Sequence, residues 1–414
     1  MRERESVEPG GWLGILGGGQ LGRMTAMAAR TMGIRVRVMD PEARCPASFV
    51  ADEVVVGAWE DAEAAVRLAA GAGAVTLEIE QIGVEALERV ARLAPLRPGV
   101  EAVRIIQDKA LQKTWLAEQG FPVGAFRVAR SAEELVEAVD ALGGQVFAKV
   151  ARGGYDGRGQ ARLGAEGAAG EAAARQAWTE LGAEAVVAEA ALELKLEISV
   201  MAARSPLGEV RSYPAARNHH ERQILAWSVL PAGVDAGMEA EAEGLARAIA
   251  ERLGMEGLVC VEMFVTRDGK LLVNELAPRP HNSYHQSERG CATSQFEQLV
   301  RAACNLPLGE TALEQPAAIA NLLGEVWLDA PGGRPEFARA LRVPTVRLHL
   351  YEKQEPRRGR KMGHLSATGA TGDEALERVL EAARAAGMKA MRRGFQRGLR
   401  RSGEPQKDWN QRLM

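Results

Sequence analysis

The stretch EMFVTRDGKLLVNELAPRPHNS, residues 262–283, decides the fold. It contains Glu262 and Glu275, each inside an apolar run, and the turn-forming pair Asp268-Gly269 lies between the two runs. This pattern predicts a β-hairpin. Because side chains alternate along a strand, a hairpin closed at that pair can place both carboxylates on one face.

Two carboxylates on an apolar β-surface cost free energy unless a positive charge neutralises them. Oxygen ligands on rigid strands suit Mg²⁺ held together with substrate phosphates, so Glu262 and Glu275 are candidate metal ligands. The alternative is a pair of edge-strand glutamates before a polar loop, and this stretch alone leaves both interpretations open. The following loop, PRPHNS, is stiffened by proline and contains Arg279, His281 and Asn282.

The composition is that of an ordinary globular protein. The chain has 414 residues, of which 46% are hydrophobic and 26% charged, so there is room for two or three domains. Its formal net charge of −3 gives no long-range attraction to nucleic acid or to anionic membranes. No apolar run approaches the length of a membrane span. The cysteines have no metal-site spacing and are predicted to be buried thiols of a reducing compartment; they are Cys45, Cys260, Cys291 and Cys304. We therefore expect a soluble, cytoplasmic protein.

A glycine-rich turn follows the first strand-like run, in WLGILGGGQLGRM. Gly17, Gly19 and Gly22 satisfy GxGxxG, and Asp40 ends the next strand-like run. This spacing favours a dinucleotide site with Asp40 on the ribose. The underlying physics is less specific, because a helix N-terminus attracts phosphate of any kind, and Gln20 adds an amide at the mouth of the turn.

A second βαβ pattern ends in AVTLEIE, residues 74–80. Glu78 and Glu80 are two residues apart at the end of this predicted strand, so they are expected on one face where α/β crevices open. The chain then continues through a helix to Phe121-Pro122, which we predict to be a domain boundary.

Four glycines within seven residues follow the strand-like run QVFAKVA, which contains Lys149. The backbone N–H groups of such a loop can surround phosphates. The alternative, a hairpin tip, explains one or two of these glycines but not the flanking Lys149 and Arg158.

Polar side chains recur among apolar neighbours in the second half of the chain. Glu189 ends one predicted strand and Glu197 follows eight residues later. The segment SYPAARNHHERQ is predicted to be a polar, basic loop with Asn218 and His220, and no third metal ligand lies near its histidine pair. The basic run at 353–361 is a solvated loop by default, and an anion pocket is the alternative.

Seven segments together resemble the ATP-grasp superfamily and, within it, the 5-(carboxyamino)imidazole ribonucleotide synthases of purine biosynthesis. They are GGGQLGRM, LEIEQI, QDKALQK, KVARGGYDGRGQ, NELAPRPHNS, TSQFEQ and GRKMGHL, and the resemblance runs from about Leu13 to about Leu365. It implies that the N-terminal glycine turn serves the nucleotide substrate instead of NAD. The sequence departs from the family at Tyr284, where glycine is usual, and around 217–220.

The resemblance implies a three-domain fold of the α/β and α+β classes. It comprises a Rossmann-like N-terminal domain at 11–121, a small lid domain at 122–188 and a C-terminal ATP- and Mg²⁺-binding domain at 189–388. The basic tail at 389–414 is expected to be a flexible extension.

The implied reaction is the ATP-dependent carboxylation of 5-aminoimidazole ribonucleotide by bicarbonate, through carboxyphosphate. The cofactors are ATP and Mg²⁺ (or Mn²⁺), the partners are small molecules without nucleic acid or membrane, and a homodimer is expected. A sibling ATP-grasp ligase is the closest rival, a formate-dependent glycinamide ribonucleotide transformylase or a biotin carboxylase. It should lack the tyrosine and aspartate of the glycine loop. An NAD-dependent oxidoreductase is the rival from another class.

The resemblance also assigns roles to individual residues. The metal ligands are Glu262 and Glu275. The ATP site comprises Lys109, Lys149, Gly153, Gly154, Gly157, Gly159, Glu189, Glu197, His220 and Asn274. The catalytic residues are Tyr155, Asp156, Arg158, Arg279 and His281. The substrate is bound by Gln20, Leu21, Glu80, Asn282, Ser283, Lys353, Arg360 and Lys361.

Overall fold

A computed structural model describes residues 5–154, 159–164 and 167–388 of the chain. The predicted lid residues Tyr155, Asp156, Gly157 and Arg158, and the basic tail from 389 onward, lie outside the described residues. In the described part, the strands form three sheets.

The first sheet is parallel and has the order β3-β2-β1-β4. Its strands are β1 (Trp12–Leu16), β2 (Arg35–Asp40), β3 (Glu53–Val56) and β4 (Ala74–Leu77). The helices α1 (Gln20–Thr31), α2 (Ala62–Ala69) and α3 (Val84–Ala91) alternate with the strands. Apolar runs such as Leu13–Leu16 are buried because helices cover parallel strands on both faces. The sequence-based prediction of a Rossmann-like unit is confirmed.

Two helices, α4 (Val100–Ile106) and α5 (Lys109–Glu118), lead out of this unit. Asp108 accepts hydrogen bonds from the N–H groups of Ala110 and Leu111 and so caps α5. This cap places Lys109 at the first position of the helix.

The second sheet is antiparallel, with the order β5-β8-β6-β7. Its strands are β5 (Phe126–Ala129), β6 (Val146–Val150), β7 (Gln160–Leu163) and β8 (Val186–Ala190), and the helices are α6 (Ala132–Ala141) and α7 (Gly167–Leu181). The domain boundary predicted at 188/189 falls inside β8, because Glu189 still pairs with Phe126 and Phe147. The other proposed boundaries stay predictions.

The third sheet has nine strands in the described residues, with the order β14-β13-β9-β11-β12-β15-β17-β16 and β10 pairing with β9. The strands are β9 (Leu194–Arg204), β10 (Val210–Ser212), β11 (Ala216–Glu221), β12 (Ile224–Leu230), β13 (Gly257–Thr266), β14 (Leu271–Ala277), β15 (Ala317–Leu323), β16 (Arg347–Leu350) and β17 (Lys361–Thr368). The prediction of a loop around 217–220 is wrong. These residues form β11 between β9 and β12.

The remaining helices of the described chain accompany this large sheet. They are α8 (Ala236–Arg252), α9 (Ser287–Gly290), α10 (Gln295–Ala303), α11 (Glu325–Leu328), α12 (Phe337–Ala340) and α13 (Gly372–Ala385). Helix α8 packs on β9 and β13, and α13 packs on β15 and β17. All four cysteines are buried free thiols, as predicted. Among the described residues, the helices are too short or too polar to cross a bilayer.

The predicted hairpin is present as β13 and β14, joined by a turn in which Gly269 has φ +84°. Glu262 and Glu275 are directly opposite each other. Opposite residues of an antiparallel pair share a face, so the hairpin brings the two carboxylates together. A register shift follows Glu262, so Met263 pairs with Val273.

The N-terminal sheet depends on its central strand for stability. Ile15 on β1 is fully buried, so Ile15→Ala should remove about 2–5 kcal/mol of stability through lost burial and a cavity. We expect the midpoint of thermal unfolding to fall by several degrees. Leu207→Ala is the control, because Leu207 is 73% exposed. An equal shift for both variants would contradict this assignment of the core.

Candidate active site

The two hairpin glutamates are each balanced by a basic side chain. His281, in the loop after β14, has its Nε2 3.0 Å from Oε1 of Glu262. Burial alone would raise the pKa of Glu262, but the hydrogen bond and positive charge of His281, with His220 and Lys109 farther away, lower it to about 2. Glu262 is therefore an ionised carboxylate at neutral pH.

Lys109 forms the corresponding ion pair with Glu275. Burial alone would lower the pKa of the Lys109 ammonium, but Glu275 outweighs that effect and the pKa is raised. This ion pair thus joins the N-terminus of α5 to strand β14. Lys109 was a predicted ATP-site residue, and the structure places it at the metal-ligand candidates.

Glu189 on β8 is held by two lysines. Nζ of Lys149 lies 3.0 Å from Oε2 of Glu189, and Nζ of Lys113 lies 3.5 Å from the same atom. Burial would raise the pKa of Glu189, but Lys113 and Lys149 lower it. Lys113 was missed in the sequence analysis, although it lies one turn after Lys109 on α5 and therefore on the same helix face.

Glu197 and His220 meet across the neighbouring strands β9 and β11. Nδ1 of His220 is 2.5 Å from Oε2 of Glu197. Burial would lower the pKa of His220, but the Glu197 carboxylate raises it. The two residues were predicted to belong to one ATP site, and the structure brings them into contact.

Arg279 connects the hairpin loop to the N-terminal sheet. Its Nε and Nη2 donate to the two carboxylate oxygens of Glu80, at 2.5 and 3.0 Å. Burial would raise the pKa of Glu80, but Arg279 lowers it. Glu80 was predicted to bind substrate. Here both of its oxygens are engaged by Arg279, as expected of a bidentate pair.

The N-terminal glycine turn is filled by carboxylates of the chain itself. Asp40 accepts from the N–H of Gly18 at 2.9 Å, and Glu78 accepts from Gly19 at 2.8 Å and Gly22 at 3.1 Å. A Cβ on Gly19 would lie only 2.6 Å from the Glu78 carboxylate. The glycines are therefore needed for the approach of Glu78, and the turn presents no free cradle of the dinucleotide type.

Gln20 is nevertheless at the mouth of this turn, as predicted. Its Oε1 accepts from Nζ of Lys353 at 2.5 Å, which joins the basic run at 353–361 to α1. The side chain of Leu21 is buried against Met24 and Phe296. Arg360 donates to the carbonyl of Glu355, and Lys361 begins β17.

Two amide side chains near the hairpin have unsatisfied atoms. Asn282 is 6% exposed, and neither its Oδ1 nor its Nδ2 has a hydrogen-bond partner among the described residues. Asn274 has an unpartnered Oδ1 in the same part of the chain. Buried amides are normally hydrogen-bonded, so a ligand is a natural partner for Asn282. Ser283 is fully buried, and its hydroxyl contacts His281 and Ser199.

Gly153 and Gly154, which follow β6, line one side of a cleft. Gly153 and Gly159 have φ values of +77° and +70°, which favour glycine. The cleft is lined by Glu80, Gln81, Ile106, Gln107, Lys109, Ala151, Gly153, Gly154, Glu275 and Leu276. It therefore lies where the N-terminal unit, the small sheet and the hairpin meet.

Comparisons with known proteins agree with this arrangement. The domain models that match are the Ribonucleotide synthetase preATP-grasp domain over 12–107, the ATP-grasp domain over 114–296 and the Phosphoribosylaminoimidazole carboxylase C-terminal domain over 317–378. The N5-carboxyaminoimidazole ribonucleotide synthase of Bacillus subtilis is 39% identical over 91% of this chain and 96% of its own length. This chain belongs to the N5-carboxyaminoimidazole ribonucleotide synthase family.

Solved structures of the N5-carboxyaminoimidazole ribonucleotide synthase family have the same fold. The Thermus thermophilus synthetase has a TM-score of 0.82 at 35% identity, covering 91% of this chain and 99% of its own. The Aspergillus clavatus synthase, in complex with ADP and 5-aminoimidazole ribonucleotide, has a TM-score of 0.83 at 31% identity, covering 93% and 99%. The family assignment, the ATP-grasp fold and the class of ATP-dependent ligase predicted from the sequence are confirmed.

The Glu80–Arg279 pair should make stability depend on pH. Because folding lowers the pKa of Glu80 below its ordinary 4.5, the pair stabilises the fold fully above that pH and loses this contribution as the pH falls through the lower, folded pKa. We expect Glu80→Gln to unfold at a lower temperature than the wild type at pH 7. The gap between the two midpoints should narrow below about pH 4.5. If the difference between the two unfolding temperatures grew as the pH fell, the stabilising role of the Glu80–Arg279 pair would be contradicted.

Proposed function

We propose that this protein carboxylates 5-aminoimidazole ribonucleotide with bicarbonate and ATP, giving 5-(carboxyamino)imidazole ribonucleotide, ADP and phosphate in de novo purine biosynthesis. The observation that carries the proposal is the convergence of Lys109, Glu275, Glu262 and His281 at one hairpin. The family membership supports the same reaction.

The reaction has two chemical steps. A bicarbonate oxygen attacks the γ-phosphorus of ATP, and the bond from that phosphorus to ADP breaks. The exocyclic amine of the imidazole nucleotide then attacks the carboxyl carbon of carboxyphosphate, loses a proton, and phosphate leaves. Phosphoryl transfer needs positioning and charge neutralisation more than covalent help from the protein.

Glu262 and Glu275 fit a divalent cation. They are ionisable oxygen donors opposite each other on rigid strands, and the Lys109 and His281 charges that now face them can turn to anionic ligands. Mg²⁺ (or Mn²⁺) bound there would act as a Lewis acid on phosphate oxygens. In the ligand-free protein, Lys109 and His281 provide the positive charge beside these glutamates that the metal ion would provide when bound.

The ATP site is proposed along the small sheet and the cleft. Lys109 and Lys149 neutralise the α- and β-phosphates, and the glycine loop covers the phosphates. Glu189 meets the adenine edge, Glu197 meets the ribose hydroxyls, and His220 fixes Glu197 through their 2.5 Å contact. Asn274 and the loop glycines Gly153, Gly154, Gly157 and Gly159 complete the site. Lys113 adds a second positive charge beside the Glu189 oxygen that Lys149 contacts.

The imidazole nucleotide is proposed to bind between the N-terminal unit and the lid. Glu78 occupies the N–H groups of Gly19 and Gly22, so the substrate phosphate is left with Gln20 and the backbone of Leu21. Positive charge for this phosphate comes from Lys353, Arg360 and Lys361. Contacts to the remainder of the substrate come from Glu80, Asn282, Ser283, Tyr155, Asp156 and Arg158.

Arg279 and His281 are proposed to bind bicarbonate and carboxyphosphate. The bidentate pair with Glu80 holds Arg279 in place, and the contact with Glu262 holds His281. Carboxyphosphate hydrolyses in water, so the glycine loop must exclude solvent while the intermediate exists.

The finer points of organisation are also proposals. We propose a homodimer in the cytoplasm, with an N-terminal domain at 11–121, a lid domain that begins at 122, a C-terminal domain extending to 388, and a basic tail. Light scattering coupled to gel filtration tests the dimer.

The reaction is tested by ADP release in the presence of bicarbonate. Addition of 5-aminoimidazole ribonucleotide should stimulate ADP release and give carboxylated product. Glu275→Gln, which keeps the shape but removes a charge, should lower turnover by at least ~10²-fold. Glu256→Gln is the control, since Glu256 precedes β13 and pairs with Arg97 instead of Lys109 or His281. Stimulation by glycinamide ribonucleotide or biotin instead would identify a sibling ligase.

The lid assignment has its own test in Asp156. An imidazole offers N–H donors, and hydrogen bonds to a charged acceptor contribute about 1.5–3 kcal/mol. Asp156→Asn should therefore lower the rate of carboxylation strongly. The Kd for ATP should stay within about three-fold of the wild-type value, because a carboxylate repels phosphate oxygens and so contributes little to ATP binding. Loss of ATP affinity with normal carboxylation at saturating ATP would reverse the assignment.

A further inference from the structure

His281 is held at both ends of its ring and along its backbone. Nε2 faces Glu262 at 3.0 Å, and Nδ1 lies 2.8 Å from Oγ of Ser283. Gln295, the first residue of α10, accepts from the N–H of His281 at 2.8 Å and donates to its carbonyl at 2.9 Å. Gln295 fixes the backbone of His281, so the imidazole can still rotate about its side-chain bonds. The contact between Nδ1 and Oγ of Ser283 restricts that rotation.

A hydrogen-bonded chain continues from Ser283 into the large sheet. Oγ of Ser199 on β9 is 2.8 Å from Oγ of Ser283, and Nδ2 of Asn218 on β11 donates to Ser199 at 3.0 Å. Ser228 on β12 donates to Oδ1 of Asn218 at 2.9 Å. From Ser283, in the loop after β14, the hydrogen bonds therefore cross the three adjacent strands β9, β11 and β12.

The residues of this hydrogen-bonded network are buried, so water cannot replace a lost partner. Ser199, Ser228 and Ser283 are fully buried, and Asn218 is 6% exposed. Removing the Ser199 hydroxyl leaves Nδ2 of Asn218 without its acceptor and Ser283 without one of its partners, and buried polar groups are normally hydrogen-bonded. This requirement explains why the polar residue Asn218 stands on β11, in a segment that resembles a loop in the sequence.

At the far end, the hydroxyl of Ser228 lies 2.9 Å from Oδ1 of Asn218 and 2.9 Å from the carbonyl oxygen of Ser283. Asn218 donates to Ser199, so the Ser199 proton is available for Ser283. Ser283 can then donate to a neutral Nδ1. It can also accept from a protonated Nδ1, with its own proton turned to Sγ of Cys260 at 4.0 Å. The ring of His281 is supported in either case.

We propose that Ser199 and Asn218 are positioning residues that act through Ser283 to hold His281 for the carboxyphosphate step. This inference rests on the proposed function. A group that must meet a short-lived intermediate needs a fixed orientation, and a displacement of about 1 Å can cost roughly 10²-fold in rate.

The test is Ser199→Ala, with Ser366→Ala as the matched control. Ser366 is also a fully buried serine of the large sheet, but its hydroxyl lies near His349 instead. For Ser199→Ala we expect a fall in kcat of about 10- to 100-fold and a KM for ATP within about two-fold. We also expect more phosphate released per molecule of carboxylated product. Ser199→Thr, which keeps the hydroxyl, should restore most of kcat.

A crystal structure of the Ser199→Ala variant shows the orientation of the His281 ring directly. We expect His281 to rotate and its Nε2 to move away from Glu262. If Ser199→Ala does not fold, Ser199→Cys retains the volume and weakens the hydrogen bonds, and the same results are expected to a smaller degree. An unmoved ring, or a kcat equal to that of Ser366→Ala, would overturn the inference. Failure of the wild type to carboxylate the nucleotide would instead refute the proposed function and leave the ring measurement valid.

Discussion

The site depends on how the negative charges of Glu262 and Glu275, side by side on one β-hairpin, are balanced. Opposite positions on β13 and β14 bring the two negative charges together, and His281 and Lys109 balance them from different parts of the chain. Lys109 comes from the start of α5 and His281 from the loop after the hairpin. A stable hairpin therefore requires the surrounding elements to be in place. The electrostatics of two carboxylates thus link the helical connector, the hairpin and its following loop.

The same logic extends to the rest of the cleft. Lys149 and Lys113 neutralise Glu189, His220 neutralises Glu197, and Arg279 neutralises Glu80. Each pair contains a basic side chain that can bind an anion or a phosphate and a carboxylate that can bind a metal ion or a hydroxyl group. Binding can proceed by exchange of partners, so that charged groups need not become unpaired in a poorly hydrated site. This gives a physical reason why a ligand-free protein can keep so many buried charges.

Sequence reasoning succeeded where one local rule decided the structure. The hairpin followed from two apolar runs around Asp268-Gly269, and the strand of Lys149 followed from a short apolar run before glycines. It failed where long-range partners decided. Asn218 on β11 looked like a loop residue because its partners, Ser199 and Ser228, lie on other strands. The GxGxxG turn indicated a dinucleotide because nothing local shows that Glu78 fills it. Lys113 and Gln295 were missed for the same reason, since their roles come from contacts with Glu189 and with the backbone of His281.

The central claim is that the balanced hairpin serves transfer of a phosphoryl group to bicarbonate, followed by transfer of the carboxyl group to the nucleotide. Bicarbonate labelled with ¹⁸O tests it most directly. The attacking oxygen becomes the bridge of carboxyphosphate and leaves with phosphorus when the amine attacks the carboxyl carbon. Mass spectrometry should therefore find one ¹⁸O atom in each inorganic phosphate formed with carboxylated product. Unlabelled phosphate released together with that product would contradict the account.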